Sequence, residues 1–315
     1  MHKENSSISN FKKYIVKIIL PVGLAVTIIS LAFTFLFERK IILSNESCGA
    51  YKINRIITTT DVNEIPIFGS SRAEASFVPE LLGPTYFNYG LEGTQENVML
   101  FFIKEECSKR YKRSPLLIVN IDLDGINTKS GDLANYLYNS NNEGVKQLMG
   151  DRYEKHFAIP FIKYVGQFEN YFRYYLNNRI QLTKYSDKGA FIDKVVLPKK
   201  MMDELIEYRK KNQDVFLNEP ELKREFFNTI NAFPERKFIF VIPPYHSCYF
   251  TNYKNPEDAK AFVNELRALS NVRVFDFSNV IYPDSLFINT THLNYNGAVR
   301  FTKEFKDSLN TLKNQ

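Results

Sequence analysis

The chain has 315 residues, 44% hydrophobic and 24% charged, which suits one large core or one domain carrying an insertion and does not suit a disordered polymer. Its net charge of +6 comes from 41 Lys and Arg set among 35 Asp and Glu with no long run of one sign, which argues against a nucleic-acid partner. Cys48, Cys107 and Cys248 fit no metal-ligand spacing; Cys107 falls on a core face, and a Cys48–Cys248 bridge stays open for an oxidising compartment.

From the N-terminus, Ile18 to Phe37 carries no charged residue and is about as long as a helix that crosses a bilayer's hydrocarbon core. Lys12, Lys13 and Lys17 precede it, and Glu38, Arg39 and Lys40 follow. A cleavable signal peptide has a shorter apolar core and a small-residue cleavage site, whereas this segment runs into Phe35-Leu36-Phe37, so it reads as an anchor in the lipid bilayer. Pro21 and Gly23 are tolerated in membrane helices. The basic flanks are nearly balanced, and the long chain that follows favours residues 1–17 in the cytoplasm. The expected organisation is a single pass over 18–37 in the cell (inner) membrane, a linker over 38–63, and an extracytoplasmic domain over 64–315.

Past the linker, short β-rich runs alternate with helical patterns, the order of parallel βαβ units. Strands are predicted at Ile65–Phe68, Tyr86–Asn88, Pro115–Ile121, Lys237–Pro243 and Val272–Phe277, and helices at Gln95–Lys112, Asn255–Ala268 and Asn296–Leu312. The stretch 125–236 is too long for a crossover and is read as a mostly helical insertion. Within it Phe161, Tyr164, Val165, Phe168, Phe172 and Tyr175 recur at helical spacing. One aromatic face is therefore expected, either packed on the core or turned to a membrane or a membrane partner.

In an open parallel sheet the ligand site lies beyond the carboxyl ends of the strands. Those ends carry Gly69-Ser70-Ser71-Arg72, then Asn88 through Gly93, then Asp122 and Asp124, then Pro244-Tyr245-His246, with Asn289-Thr-Thr-His292 before the last helix. A serine hydroxyl attacks well only when a neighbouring base removes its proton, so Ser71 with His292 brought beside it is the minimum apparatus for acyl transfer. Plain structural readings stand beside the functional ones. Gly69-Ser70-Ser71 also fits a helix-capping turn, His292 and His246 also fit structural histidines, and Arg72 also fits a salt-bridged arginine.

The two end blocks resemble the SGNH/GDSL hydrolase superfamily, in particular its membrane-anchored envelope acylation proteins such as the D-alanyl transfer protein. Gly69-Ser70-Ser71 is similar to the family's Gly-Asp-Ser block after the first strand, and Asn289-Thr-Thr-His292-Leu-Asn-Tyr-Asn-Gly297 to its Asp-x-x-His-Leu-Asn block followed by Gly. The resemblance implies a flavodoxin-like three-layer α/β fold around a five-stranded parallel sheet, with Ser71 as nucleophile and His292 as base. It also implies that the backbone N–H groups of Ser71 and Gly93 receive the oxyanion. Asn289 stands where the family has Asp, and the family's Asn after strand three is replaced by Asn120-Ile-Asp122-Leu-Asp124. His246 is open as a relocated donor or a binder of a substrate hydroxyl, and Asn88, Asp122 and Arg72 complete the candidate binding set. Asp284 and Asp124 are open as a replacement acid for His292.

No nucleotide loop, dinucleotide turn or zinc motif is present, and the α/β-hydrolase elbow fails at Ala73, so neither metal nor cofactor is expected. The resemblance implies an esterase or O-acyltransferase acting on an acylated glycan or envelope polymer. The other readings are a non-catalytic glycan-binding or scaffold partner of a polytopic membrane O-acyltransferase, and a tethered lipase or thioesterase.

Overall fold

With no charge between Ile18 and Phe37, and with a π-helical turn at Ile15–Ile19 ahead of Pro21, the chain forms one helix, α1 (Ile15–Ile42), long and apolar enough to cross a membrane. Most of its side chains are exposed, and only its last turns enter the core, through Phe37 and Ile42. The computed structural model describes residues 13–110, 114–179 and 183–313. Lys12 of the basic flank and Lys112, the expected end of the second predicted helix, lie outside the described residues.

Residues 38–63, expected as a linker, carry helical structure. α1 runs five residues past Phe37, and after a turn α2 (Gly49–Thr58) buries Ala50, Ile53 and Ile56 in the main core. The signal was the Ala50, Ile53, Ile56 periodicity, which the polar residues between them masked.

The sheet strands follow: β1 (Ile65–Phe68), α3 (Ser71–Ser76), α4 (Pro79–Leu82), β2 (Tyr86–Asn88), α5 (Glu96–Cys107) and β3 (Leu116–Asn120). Then come β4 (Gly125–Ile126), α6 (Ala134–Leu137), α7 (Glu143–Met149), α8 (Phe168–Arg179) and an antiparallel hairpin of β5 (Lys184–Asp187) and β6 (Ala190–Asp193). After α9 (Lys199–Lys211) and β7 (Leu217–Asn218), the chain completes the sheet with α10 (Pro220–Asn231), β8 (Lys237–Ile242), α11 (Pro256–Arg267) and β9 (Val272–Asp276), and ends on α12 (Tyr295–Lys313).

The five-stranded sheet is wholly parallel, in the order β2-β1-β3-β8-β9. Its strands are apolar on both faces because both are covered, as parallel sheets require. Phe68, Leu117, Val119, Phe238 and Phe240 point into one core with α2 and α5. Ile67, Ile118, Ile239 and Val241, the alternate residues, point into another with Phe301, Phe305 and Leu309 of α12.

Three features of the region 125–236 differ from the sequence reading. Its last helix, α10, packs Phe226 against Phe240 of β8 and so serves as the β3-to-β8 crossover. The region also holds the β5–β6 hairpin, where Lys188 and Gly189 both have positive φ (42° and 83°), the conformation of a type I′ turn. The hairpin rests on α3 and α12 through Ala190 and Ile192, beside Val78 and Ala298. The aromatic run is not one helix: Pro160 and Gly166 (φ 83°) punctuate it, and α8 begins only at Phe168. All three cysteines are free and buried, so no Cys48–Cys248 bridge forms, while Cys107 lies in the core as expected.

Candidate active site

The order of the strands reverses direction between β1 and β3, and in doubly wound sheets ligands bind in the crevice beyond such a switch point. β1 ends there at Gly69, whose backbone (φ 151°) suits glycine, and a Cβ at that position would lie 2.7 Å from those of Ala73 and Asn120. Ser70 then caps α3: its Oγ accepts from Arg72 N–H at 3.1 Å and donates to Asp122 Oδ2. With Ser70 fully engaged, Ser71 at the first position of α3 is the serine left to face the cleft.

Ser71 Oγ lies 2.8 Å from His292 Nε2, across 221 residues of sequence. For Nε2 to accept the serine proton, the ring's own proton must sit on Nδ1. Nδ1 is 3.1 Å from Asn289 Oδ1 and 2.9 Å from Thr291 Oγ1. The orientation of the Asn289 amide is fixed by its other donors, since Oδ1 also accepts the backbone N–H groups of Thr291 (2.9 Å) and His292 (2.8 Å). Asn289 therefore selects the useful tautomer but supplies no negative charge. Desolvation and then the nearby Arg72 charge lower the His292 pKa to about 4, with only partial opposition from Asp122 and Asp193. At neutral pH the imidazole is a neutral acceptor and a weak base.

Asn289→Asp is accordingly expected to raise the rate at which Ser71 reacts with an acylating reagent and to move the acid limb of the pH–rate profile upward, because a carboxylate at Nδ1 stabilises the imidazolium. Stopped-time labelling across pH measures both, and an unchanged limb would show that no carboxylate reaches the ring.

Arg72 is not a free anion binder. It is buried, its Nε donates to Thr291 O (2.9 Å), its Nη2 to Pro243 O (2.8 Å) and Pro244 O (3.0 Å), and its Nη1 to Asp122 Oδ1 (3.3 Å). Its guanidinium also stacks 3.5 Å from the Tyr245 ring centroid. One side chain thus ties together the loops after β1, β3 and β8 and the loop that carries His292. Asp122, buried, is likewise spent on Ser70, Arg72 and Asn120 Nδ2 (2.8 Å), although it borders the cleft.

Asn88 is placed elsewhere. Fully buried, it donates to Ala73 O (2.8 Å) and accepts from Gly90 N–H (2.8 Å), closing the turn that leads toward Gly93. His246 is also turned away: its Nε2 meets Asp284 Oδ1 at 3.0 Å and its Nδ1 meets Cys248 Sγ at 3.0 Å, while its N–H donates to Thr290 O. It braces the 289–292 loop from behind, and Asp284 holds His246 and not His292. Neither Asn88 nor His246 borders the cleft, because each is consumed by hydrogen bonds that shape it.

Gly93 (φ 71°) does border the cleft with Ser71. Among the described residues, no hydrogen bond uses the Ser71 or Gly93 N–H. Asp124 accepts from Gln95 Nε2 (3.0 Å), and among the described residues no hydrogen bond joins it to His292; desolvation and the Asp122 charge raise its pKa to about 6.

Sequence reasoning missed Lys129, Arg209 and Asp214, which the intervening region brings to the rim, and Tyr249, which the loop after β8 adds. Arg209 of α9 pairs with Asp214, donates to Thr290 Oγ1 (3.2 Å) and covers the Tyr249 ring. No local pattern marks them, since their meeting depends on how α9 folds back over the β8 loop. The cleft has a volume of ≈ 250 Å³ and adjoins a larger one of ≈ 580 Å³ that shares Gly93 and Lys129 and reaches Asn45, Asp132 and Arg152.

No family model matches the chain, and no curated protein matches it. Among solved structures, one from Streptococcus pneumonia, provisionally described as a platelet activating factor, aligns over 89% of this chain and 99% of its own at 12% identity and a TM-score of 0.40. A likeness at that distance fixes neither fold nor chemistry.

Proposed function

We propose that this chain is a membrane-anchored serine esterase or O-acyltransferase of the SGNH/GDSL type, acting on an acylated glycan or envelope polymer. The observation that carries the reading is the 2.8 Å contact of Ser71 Oγ with His292 Nε2, formed between the two sequence blocks that resemble that superfamily. The strand order, which is the flavodoxin-like one, is in keeping with it.

In this reading Ser71 Oγ attacks the acyl carbonyl as its proton passes to His292 Nε2, and the N–H groups of Ser71 and Gly93 receive the oxyanion. The tetrahedral intermediate collapses as His292 returns the proton to the leaving oxygen, giving an acyl-serine. Water or a glycan hydroxyl, deprotonated by the same imidazole, then takes the acyl group. In this reading the double cleft beside Gly93, bordered by Lys129, Asp132 and Arg152, takes a sugar unit. Residues 1–17 lie in the cytoplasm, 18–37 cross the cell (inner) membrane, and the remainder is extracytoplasmic.

A second reading is favoured by one observation, the uncharged Asn289 beside a histidine whose pKa is depressed to about 4. It makes the chain a non-catalytic glycan-binding or scaffold partner of a polytopic O-acyltransferase. Labelling of the full-length protein with a fluorophosphonate separates the two. The enzyme reading expects a covalent adduct on the Ser71 peptide that Ser71→Ala abolishes; no adduct at high reagent concentration would sink it.

A further inference from the structure

The aromatic run at 161–172 does not serve the cleft, yet it is built around the end of α1. Phe37 is encircled by Tyr164, Phe168, Tyr171 and Phe172, with ring centroids 5.2–5.9 Å away. One turn deeper, Phe33 meets Phe161 at 5.5 Å and Phe168 at 6.1 Å. Phe161 has φ 65°, a left-handed conformation that a bulky side chain adopts only under constraint, and its ring lies against α1. Just past the apolar span, Glu38 accepts from Tyr164 Oη (2.6 Å) and pairs with Lys163 Nζ (2.8 Å).

Charge and phenol thus gather at Glu38 and apolar rings at Phe33 and Phe37, the layering of a membrane interface. Around them Ile159, Ile162, Val165 and Phe172 are exposed and uncovered. The helix enters the core without a linker, so the height of this patch is set by α1. Four residues of helix separate Phe33 from Phe37, so the rings that reach Phe33, those of Phe161 and Phe168, lie about 6 Å below the outer edge of the span, and Phe172, against Phe37, lies at that edge. That depth is within the roughly 5–10 Å reached by interfacial apolar surfaces.

We propose that residues 159–172 form a second, monotopic membrane contact in which Ile159, Ile162, Val165 and Phe172 enter the outer part of the leaflet on the side of the folded domain. The occupant of the patch is lipid acyl chain. Together with α1 it attaches the domain at two points and holds it in one orientation over the bilayer. The proposal rests on α1 spanning that bilayer.

The chain has no tryptophan, so single reporters can be placed in the full-length protein. Leu24→Trp in α1, Val165→Trp and Ile162→Trp in the patch, and Ile281→Trp are reconstituted in phosphatidylcholine and phosphatidylglycerol vesicles containing brominated acyl chains. Ile281 is 80% exposed, and its chain neighbours Val280 and Tyr282 pack in the core on the opposite sheet face from α1, which makes it the solvent control. The expected result is loss of emission from Val165→Trp and Ile162→Trp, larger with bromines near the headgroup than near the chain ends, and none from Ile281→Trp. If Leu24→Trp is quenched while both patch reporters behave as Ile281→Trp does, the second contact is overturned and the anchor stands. If Leu24→Trp is not quenched, the anchor falls and this contact with it.

Discussion

His292→Ala is expected to slow fluorophosphonate labelling of Ser71 by about 10²- to 10⁴-fold, the range a positioned general base contributes. The group that takes the proton is lost, while Ser71, the turn that presents it and the Ser71 and Gly93 N–H groups remain. The wild-type rate has its own signature. Because burial and Arg72 depress the His292 pKa to about 4, the neutral imidazole persists well below the ordinary histidine range. Labelling should therefore hold through mild acid and fall only as pH approaches about 4. An acid limb near 6.5, the ordinary histidine value, would mean that His292 is far better solvated than its surroundings here allow. A His292→Ala rate equal to wild type would leave Ser71 reactive without its base and end the proposed chemistry.

The largest loss of stability is expected from Lys52→Ala. Lys52 of α2 is fully buried, and its Nζ donates to Glu74 Oε1 (2.6 Å) on α3 and to Gly90 O (2.5 Å) before the Gly93 turn. It is the polar bolt that joins the segment after the long apolar helix to α3 and to the turn that leads to Gly93. Removing it leaves the Glu74 carboxylate buried and unpaired, and breaking a buried pair from one side costs about 3–5 kcal/mol. Set against a typical total of about 5–15 kcal/mol, that is a large fraction of the protein's stability. Desolvation already raises the Glu74 pKa against the pull of Lys52, so the carboxyl of the variant should take up a proton more readily. The defect should consequently shrink as pH falls, and Glu74→Gln in the Lys52→Ala background should recover part of it. Thermal unfolding of the detergent-solubilised full chain measures both; a loss of Tm no greater than for an exposed lysine such as Lys260 would show that the pair carries little weight.

The five sheet strands were legible because each is short, β-branched or aromatic and bounded by Gly, Pro or Asn, and all five form within a residue or two of their predicted bounds. The region between β3 and β8 was legible only as an interruption. Its elements satisfy one another over long range: the hairpin turn at Lys188-Gly189 receives Asn88 N–H on Lys188 O (2.9 Å), and a Cβ on Gly189 would lie 2.0 Å from Asn88 O. A two-residue Lys-Gly turn without Asn or Asp in its first position carries a weak local signal, so sequence alone passed over it.

Within the candidate site the same division holds. Ser71 and His292 stood out as a hydroxyl and an imidazole at element edges, and the resemblance of the end blocks added Asn289 and Gly93 as candidates. The fates of Arg72, Asn88 and His246 were settled by packing. Each is a polar group that could have faced a ligand, and each is instead spent on carbonyls, amides or a carboxylate that the fold delivers from other strands. A sequence lists donors and acceptors one at a time and so determined the long apolar helix, the parallel strands and the two end blocks that meet at the cleft. Which donor finds which acceptor depends on distances that exist only after the chain has folded, and those pairings decided which polar groups remained free to do chemistry.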